Sequence, residues 1–272
     1  MISEIALILS HPITYHPSPI TCLMIRARKS AWFERLFAVY NRNLIARRFE
    51  GLRVAGLEHL RDRPRDVPLV LYANHSSWWD GLVAFQIGRV LALDQYAMME
   101  ERHLREYPFH RRLGAFSVVR ENAREAARSI EYAGELLRGT SRVLWIFPQG
   151  VMLPNDTRPL RLYTGAAHII KQTNTAYVAP VAVRYEFLDD FRPDILVRVG
   201  EVERIEAGAS FNAKEITGLF AENLTGMLDR VRADIIRCDF ADYEEVVAPR
   251  RRSSGVKSPP SLSTADKGRP SW

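Results

Sequence analysis

The first residues in this chain that could do chemistry stand close together, in Asn74-His75-Ser76-Ser77-Trp78-Trp79-Asp80. A neutral imidazole takes a proton from a hydroxyl when one ring nitrogen is free and the other is held. A carboxylate on the held nitrogen fixes the tautomer and stabilises the imidazolium that forms. His75 and Asp80 are the candidate pair. Five residues is a poor same-face spacing within one helix, so the pair must form across a strand–loop–helix junction. The flanks predict such a junction. Leu69 to Ala73 is a short, β-prone apolar run, and Gly81 to Phe85 resumes an apolar pattern that suits a helix. Ser76 or Ser77 is expected to cap that helix, with Asp80 in its first turn. The histidine then sits at the carboxyl end of a strand, where open α/β sheets place their chemistry. A solvated loop histidine beside a helix-capping aspartate would show the same spacing, so the pair alone decides nothing.

Three further stretches carry residues that matter in company. Gly114-Ala-Phe-Ser-Val-Val-Arg120 reads as a strand ending on a guanidinium. Phe147-Pro148-Gln149-Gly150 closes another strand with a tight turn, and Arg158 and Arg161 follow nearby. Val178-Ala-Pro-Val181 is an apolar run holding a proline. Other chemistries lack their residues. The chain has no G-x-S-x-G elbow, no H-E-x-x-H, no P-loop and no G-x-G-x-x-G. His103 and His110 lack a third ligand at a metal spacing, so neither a metal nor a cofactor is expected.

The elements that must position these residues follow from pattern. Strands are expected at Leu52 to Gly56, Leu69 to Ala73, Gln95 to Met99, Gly114 to Arg120, Arg142 to Phe147, Ala176 to Tyr185 (broken by Pro180) and Asp194 to Gly200. Helices are expected at Thr21 to Phe49, Leu82 to Leu91, Glu121 to Leu137, Gly165 to Lys171 and Ala213 to Cys238, with His103 to Arg112 helix or loop. This alternation predicts an α/β fold: a mixed, largely parallel sheet flanked by helices, with an N-terminal amphipathic helical segment. The domain reading is a basic, membrane-associating segment over 1–49, a catalytic domain over 50–246 and a disordered basic tail over 247–272. At 272 residues and 47% hydrophobic composition the chain has ample material for one large core. The formal charge of +6 favours an anionic partner. Two cysteines give no disulfide framework. No apolar run approaches the roughly 18 residues of a spanning helix. Ile2 to Leu9 lacks the basic flank of a signal peptide. Residues 21–49, with Trp32 and Phe33 among many arginines, read as a membrane-surface element.

Taken together, the four stretches resemble the glycerolipid acyltransferases typified by 1-acylglycerol-3-phosphate (lysophosphatidate) acyltransferase. That family carries N-H-x4-D, G-x-x-F-x-x-R, F-P-E-G and V-x-P-V in this order. The first and last blocks match outright, and the middle two match with one substitution each, over roughly residues 50–200. The resemblance implies acyl transfer from acyl-CoA or acyl-carrier protein to a lipid hydroxyl, with His75 as general base and Asp80 as its orienting partner. It implies substrate contacts from Asn74, Gly114, Arg120, Phe147, Pro148, Gln149, Gly150 and Arg158, with Arg120 on an anionic head group. A lyso-lipid acceptor, an anionic membrane surface and peripheral attachment on a cytoplasmic face follow as expectations, with no nucleic-acid partner. Two departures bear on the acceptor. Ser117 stands where the family has an aromatic residue, with Phe116 one position early. Gln149 stands where it has glutamate, keeping shape but losing charge. A non-phosphate lipid hydroxyl such as a glycolipid is therefore a second reading, and a membrane-binding protein without chemistry is a third. Trp78 and Trp79 are expected to pack on the core rather than to line the lipid side.

Overall fold

The computed structural model describes residues 24–120 and 122–250. Nine strands form one mixed sheet: β1 (Gly51–Ala55), β2 (Leu69–Ala73), β3 (Gln95–Glu100), β4 (Ala115–Val118), β5 (Val143–Ile146), β6 (Thr175–Glu186), β7 (Asp194–Val199), β8 (Glu203–Glu206) and β9 (Tyr243–Val247). Their order is β4-β3-β5-β2-β6-β7-β1-β9, with β8 alongside β6. From β4 to β6 all neighbours are parallel, so the carboxyl ends of these five strands open on one edge. Beyond β6 the pairing is mixed: β7 is antiparallel to β6, β1 parallel to β7, and β9 antiparallel to β1. The helices are α1 (Ala31–Arg48), α2 (Leu57–Arg61), α3 (Asp80–Val90), α4 (Glu101–Glu106), α5 (Ala123–Leu137), α6 (Gly165–Thr173) and α7 (Ala213–Arg237), with a 3-10 turn at Pro108–Leu113. Among the described residues no helix is long and apolar enough to cross a membrane.

The period-two pattern of β2 builds two cores. Leu69, Leu71 and Ala73 pack with Val83, Val143 and Trp145 on one face. Val70 and Tyr72 pack with Leu144, Phe220 and Leu224 on the other. Tyr72 stacks on Phe220 with ring centroids 4.1 Å apart. A continuous apolar strand buried on both faces is what a central parallel strand requires.

The structure corrects several expectations. The helix expected from Thr21 begins at Ala31. Residues 24–30 instead run along the edge strand β4: Ser117 N donates to Ile25 O at 2.9 Å, and Ile25 N donates to Ser117 Oγ at 2.7 Å. An edge strand leaves backbone groups unpaired, and this segment pairs them. Ser117 is fully buried in that role, and Phe116, buried on the other face, meets Tyr132 edge-on. β6 runs through Pro180 unbroken. Pro180 O accepts from Gly200 N, so the missing N–H points to the place where β8 gives way to β7, and no bond to β2 is lost. β8 and β9 went unread because Glu-Arg-Ile-Glu and Tyr-Glu-Glu-Val-Val lack apolar alternation. β9 pairs with β1 up to Val247, and Arg250 N donates to Ala46 O, so the described chain continues past the 246/247 boundary read from composition. The first 23 residues and the tail from 251 lie outside the described residues.

Candidate active site

At the carboxyl end of β2, Asn74 pins the junction. Its Oδ1 accepts from Val183 N at 2.7 Å, and its Nδ2 donates to Val183 O at 2.9 Å and to Asn155 Oδ1 at 2.8 Å. The amide is thus spent on β6 and the 155 loop, and it is buried. The next residue, His75, is held through its backbone from the loop after β5. Gln149 Oε1 accepts from His75 N at 2.6 Å, and Leu153 N donates to His75 O at 2.9 Å.

Neither Ser76 nor Ser77 caps α3. The N-cap position is Trp79, and Asp80 is the first helical residue. Asp80 Oδ2 instead accepts from Ser76 N at 2.8 Å, from Ser77 N at 2.9 Å and from His75 Nδ1 at 2.8 Å. A carboxylate is a stronger acceptor than a hydroxyl, so it collects the turn's amides. Its other oxygen, Oδ1, accepts from Tyr185 OH at 2.7 Å. Asp80 is 1% exposed, and both oxygens of the carboxylate meet donors. With Nδ1 facing a carboxylate, that nitrogen carries the proton and Nε2 is the one left to accept. The ring packs on Phe147 at 4.9 Å between centroids.

A cleft of about 560 Å³ opens at His75. Leu82 and Phe85 of α3, Met98 of β3, Val118 of β4 and Phe37 of α1 line it. Its polar groups cluster where Glu100, Arg102, His103 and Arg120 lie. Arg120 pairs with Glu100 at 3.3 Å and lies over the Tyr163 ring at 5.8 Å. Gly150 has φ +70°, and a Cβ there would stand 2.4 Å from Arg120 Nη1 and 2.8 Å from Tyr163. Only glycine allows the turn to pass that close.

Not every residue singled out in the sequence comes to this cleft. Phe147, Pro148, Gly150 and Arg120 line it, and Gln149 supports His75 from behind. Gly114 sits at the start of β4, the far end, where its φ of +99° and the nearness of Gln95 O (2.7 Å from a Cβ) account for it. Arg158 donates to Asn155 O and Thr157 O and pairs with Asp229 of α7 at 2.6 Å, outside the cleft. Trp79 packs edge-on to Phe49, but Trp78 lines the cleft and is 43% exposed, so the expectation holds for one tryptophan and fails for the other. Sequence reading missed Glu100, Tyr163 and Tyr185. Tyr185 lies 105 positions from Asp80 and had no local signal. Burial, then the Asp80 charge, pushes the Tyr185 phenol well above its usual range, so it stays a donor. Among the described residues no group of three or more His, Cys, Asp or Glu side chains is placed to hold a metal ion.

Comparison with known proteins identifies the family that the chain resembles. Residues 51–184, which run from β1 into β6 and hold the cleft's lining apart from Phe37 of α1, match the family model described as Acyltransferase. The chain is similar to the lyso-ornithine lipid O-acyltransferase of Brucella abortus (strain 2308), 31% identical over 171 residues, or 58% of each chain. The match therefore spans under two thirds of that relative's length. It is also similar to the 1-acyl-sn-glycerol-3-phosphate acyltransferase of Streptococcus pneumoniae (strain ATCC BAA-255 / R6), 24% identical over 221 residues, covering 78% of this chain and 76% of the relative.

Proposed function

We propose, on the premise that this chain belongs to the acyltransferase family, that it moves a fatty acyl group from an acyl thioester to the hydroxyl of a lyso-lipid. The donor is acyl-CoA or acyl-carrier protein. The observation that carries the reading is the 2.8 Å contact of His75 Nδ1 with buried Asp80, on a ring that lines an apolar cleft. In the reaction the acceptor hydroxyl gives its proton to His75 Nε2 while its oxygen attacks the thioester carbonyl carbon. The tetrahedral oxyanion then collapses, the C–S bond breaks, and the departing thiolate takes the proton back from the imidazolium. Asp80 stabilises that imidazolium. No covalent enzyme intermediate is needed. The apolar depth of the cleft takes the acyl chain, and the Glu100–Arg120 end takes the polar head group.

The acceptor we favour carries a phosphate, as lysophosphatidate does, with Arg120 as its charged contact. A second reading has its own observations. Glu100 offsets part of the Arg120 charge, being shared with Arg102 at 2.8 Å, and Gln149 brings no charge, so a zwitterionic or uncharged head group also suits this site. The protein works as a peripheral enzyme on a membrane surface, through α1. The test is His75→Ala assayed with labelled acyl-CoA and a panel of lyso-lipids. Loss of the base lowers turnover by about 10²- to 10⁴-fold in a folded protein. Wild-type turnover in that variant would refute the mechanism.

A further inference from the structure

We infer that Tyr185 is a positioning residue for the His75–Asp80 pair, fixing the rotation of the Asp80 carboxylate so that Oδ2 stays in line with the imidazole. Three donors converge on Oδ2, and Tyr185 OH is the partner of Oδ1. The Asp80 side chain has no exposed surface, so water cannot replace a lost donor. Without the phenol, Oδ1 would be a buried, charged and unpaired atom, and the carboxylate would relieve that by turning toward the Ser76 and Ser77 amides. Such a turn takes Oδ2 out of the imidazole plane and releases the ring that must receive the proton.

The scaffold around Tyr185 suits the task. Its strand, β6, is held by β2 on one side and β7 on the other, with Tyr185 opposite Ile195. The ring lies 5.8 Å from Phe49, which in turn packs on Trp79. Two residues earlier the same strand pins Asn74 through Val183. One strand therefore sets both the backbone that precedes His75 and the carboxylate that orients it. Tyr185 does not line the cleft, so it acts through Asp80 and not on substrate.

The inference rests on the proposed roles of His75 and Asp80, and the experiment separates the two. Tyr185→Phe is expected to lower kcat on the order of tenfold, the worth of one hydrogen bond to a charged group, with KM for donor and acceptor unchanged. In an Asp80→Ala background the same change should cost nothing further, because its target is gone. Should the phenylalanine form fail to fold, two residues of tyrosine's size decide the matter. Tyr185→4-aminophenylalanine keeps a donor and should retain most of the turnover, while Tyr185→4-methylphenylalanine should lose it. Wild-type kcat in Tyr185→Phe, an equal loss in both backgrounds, or equal activity of the amino and methyl forms would each overturn the inference. A fully active His75→Ala would instead overturn the reading beneath it.

Discussion

At the residue scale, the proposed function makes Gln149 and Arg120 the positions at which acceptor choice is tested. The Gln149 amide oxygen is committed to the His75 backbone, and Arg120 is shared among Glu100, Tyr163 and whatever lies over Gly150. With a phosphate-bearing acceptor, Arg120→Ala should raise the acceptor KM at least about tenfold, the worth of one charge-assisted hydrogen bond, and leave the donor KM alone. Gln149→Glu should be tolerated there, since a carboxylate accepts the same backbone bond. With an uncharged glycolipid, Gln149→Glu should be costly and Arg120→Ala nearly silent. Steady-state kinetics on lysophosphatidate beside a lyso-glycolipid distinguishes the cases. His110 carries a stability prediction. Its ring stacks on Phe109 at 4.1 Å, and burial pushes its pKa from 6.5 down to about 4. Above pH 6.5 both folded and unfolded forms are neutral there. Between 6.5 and about 4 the unfolded chain binds the proton and the folded one does not, so stability falls as the pH drops through that window. The loss should approach about 3 kcal/mol across the whole window, and His110→Gln should flatten it in denaturant titrations at several pH values.

At the element scale, α1 is apolar on two sides. Phe33, Phe37, Asn41 and Ile45 are buried, and Asn41 Nδ2 donates to Leu82 O at 3.0 Å, which docks α1 on α3. The outer face shows Trp32 (57% exposed), Leu36 (47%) and Val39 (63%) between the exposed Arg35 and Arg42. Apolar side chains at helical spacing among arginines suit an anionic lipid surface. The triple variant Trp32→Ser, Leu36→Gln, Val39→Ser should lose sedimentation with anionic liposomes and keep its melting temperature. Wild-type binding should weaken with salt. Undiminished binding by the triple variant would remove α1 as the attachment surface.

On the proposed function, the whole molecule sets the size of the acyl site. The cleft follows β3 from Glu100 to Gln95, roughly 17 Å at about 3.3 Å per residue. Gln95 closes that end: its Nε2 donates to Phe85 O and its Oε1 accepts from Trp145 Nε1, both at 3.0 Å. Gly88 lies beneath, where a Cβ would come within 1.9 Å of the Gln95 side chain. With both polar groups of Gln95 committed, chain length should be limited by depth. Ala84 lines the cleft, and Ala84→Phe should lower kcat/KM for palmitoyl-CoA relative to octanoyl-CoA by about tenfold or more, as overpacking excludes the longer chain. Retained octanoyl turnover confirms folding, and an unchanged ratio would put the acyl chain elsewhere.

What the sequence determined by itself is local. The period of β2, the helix after Asp80, the Phe-Pro-Gln-Gly turn and the His75–Asp80 spacing each follow from a few consecutive residues whose side-chain chemistry restricts the backbone. So does the α/β class, because alternating strands and helices have few ways to bury two apolar faces. The tertiary structure decided what depends on distant neighbours. It made 24–30 an edge cover and not a helix, carried β6 through Pro180, and recruited two charged strands, β8 and β9. It sent Arg158 to α7 and Gly114 to the far end of the sheet, and brought Glu100 to Arg120 and Tyr185 to Asp80. A hydrogen bond across 105 positions leaves no trace in local pattern, because its geometry exists only once the strands have taken their order.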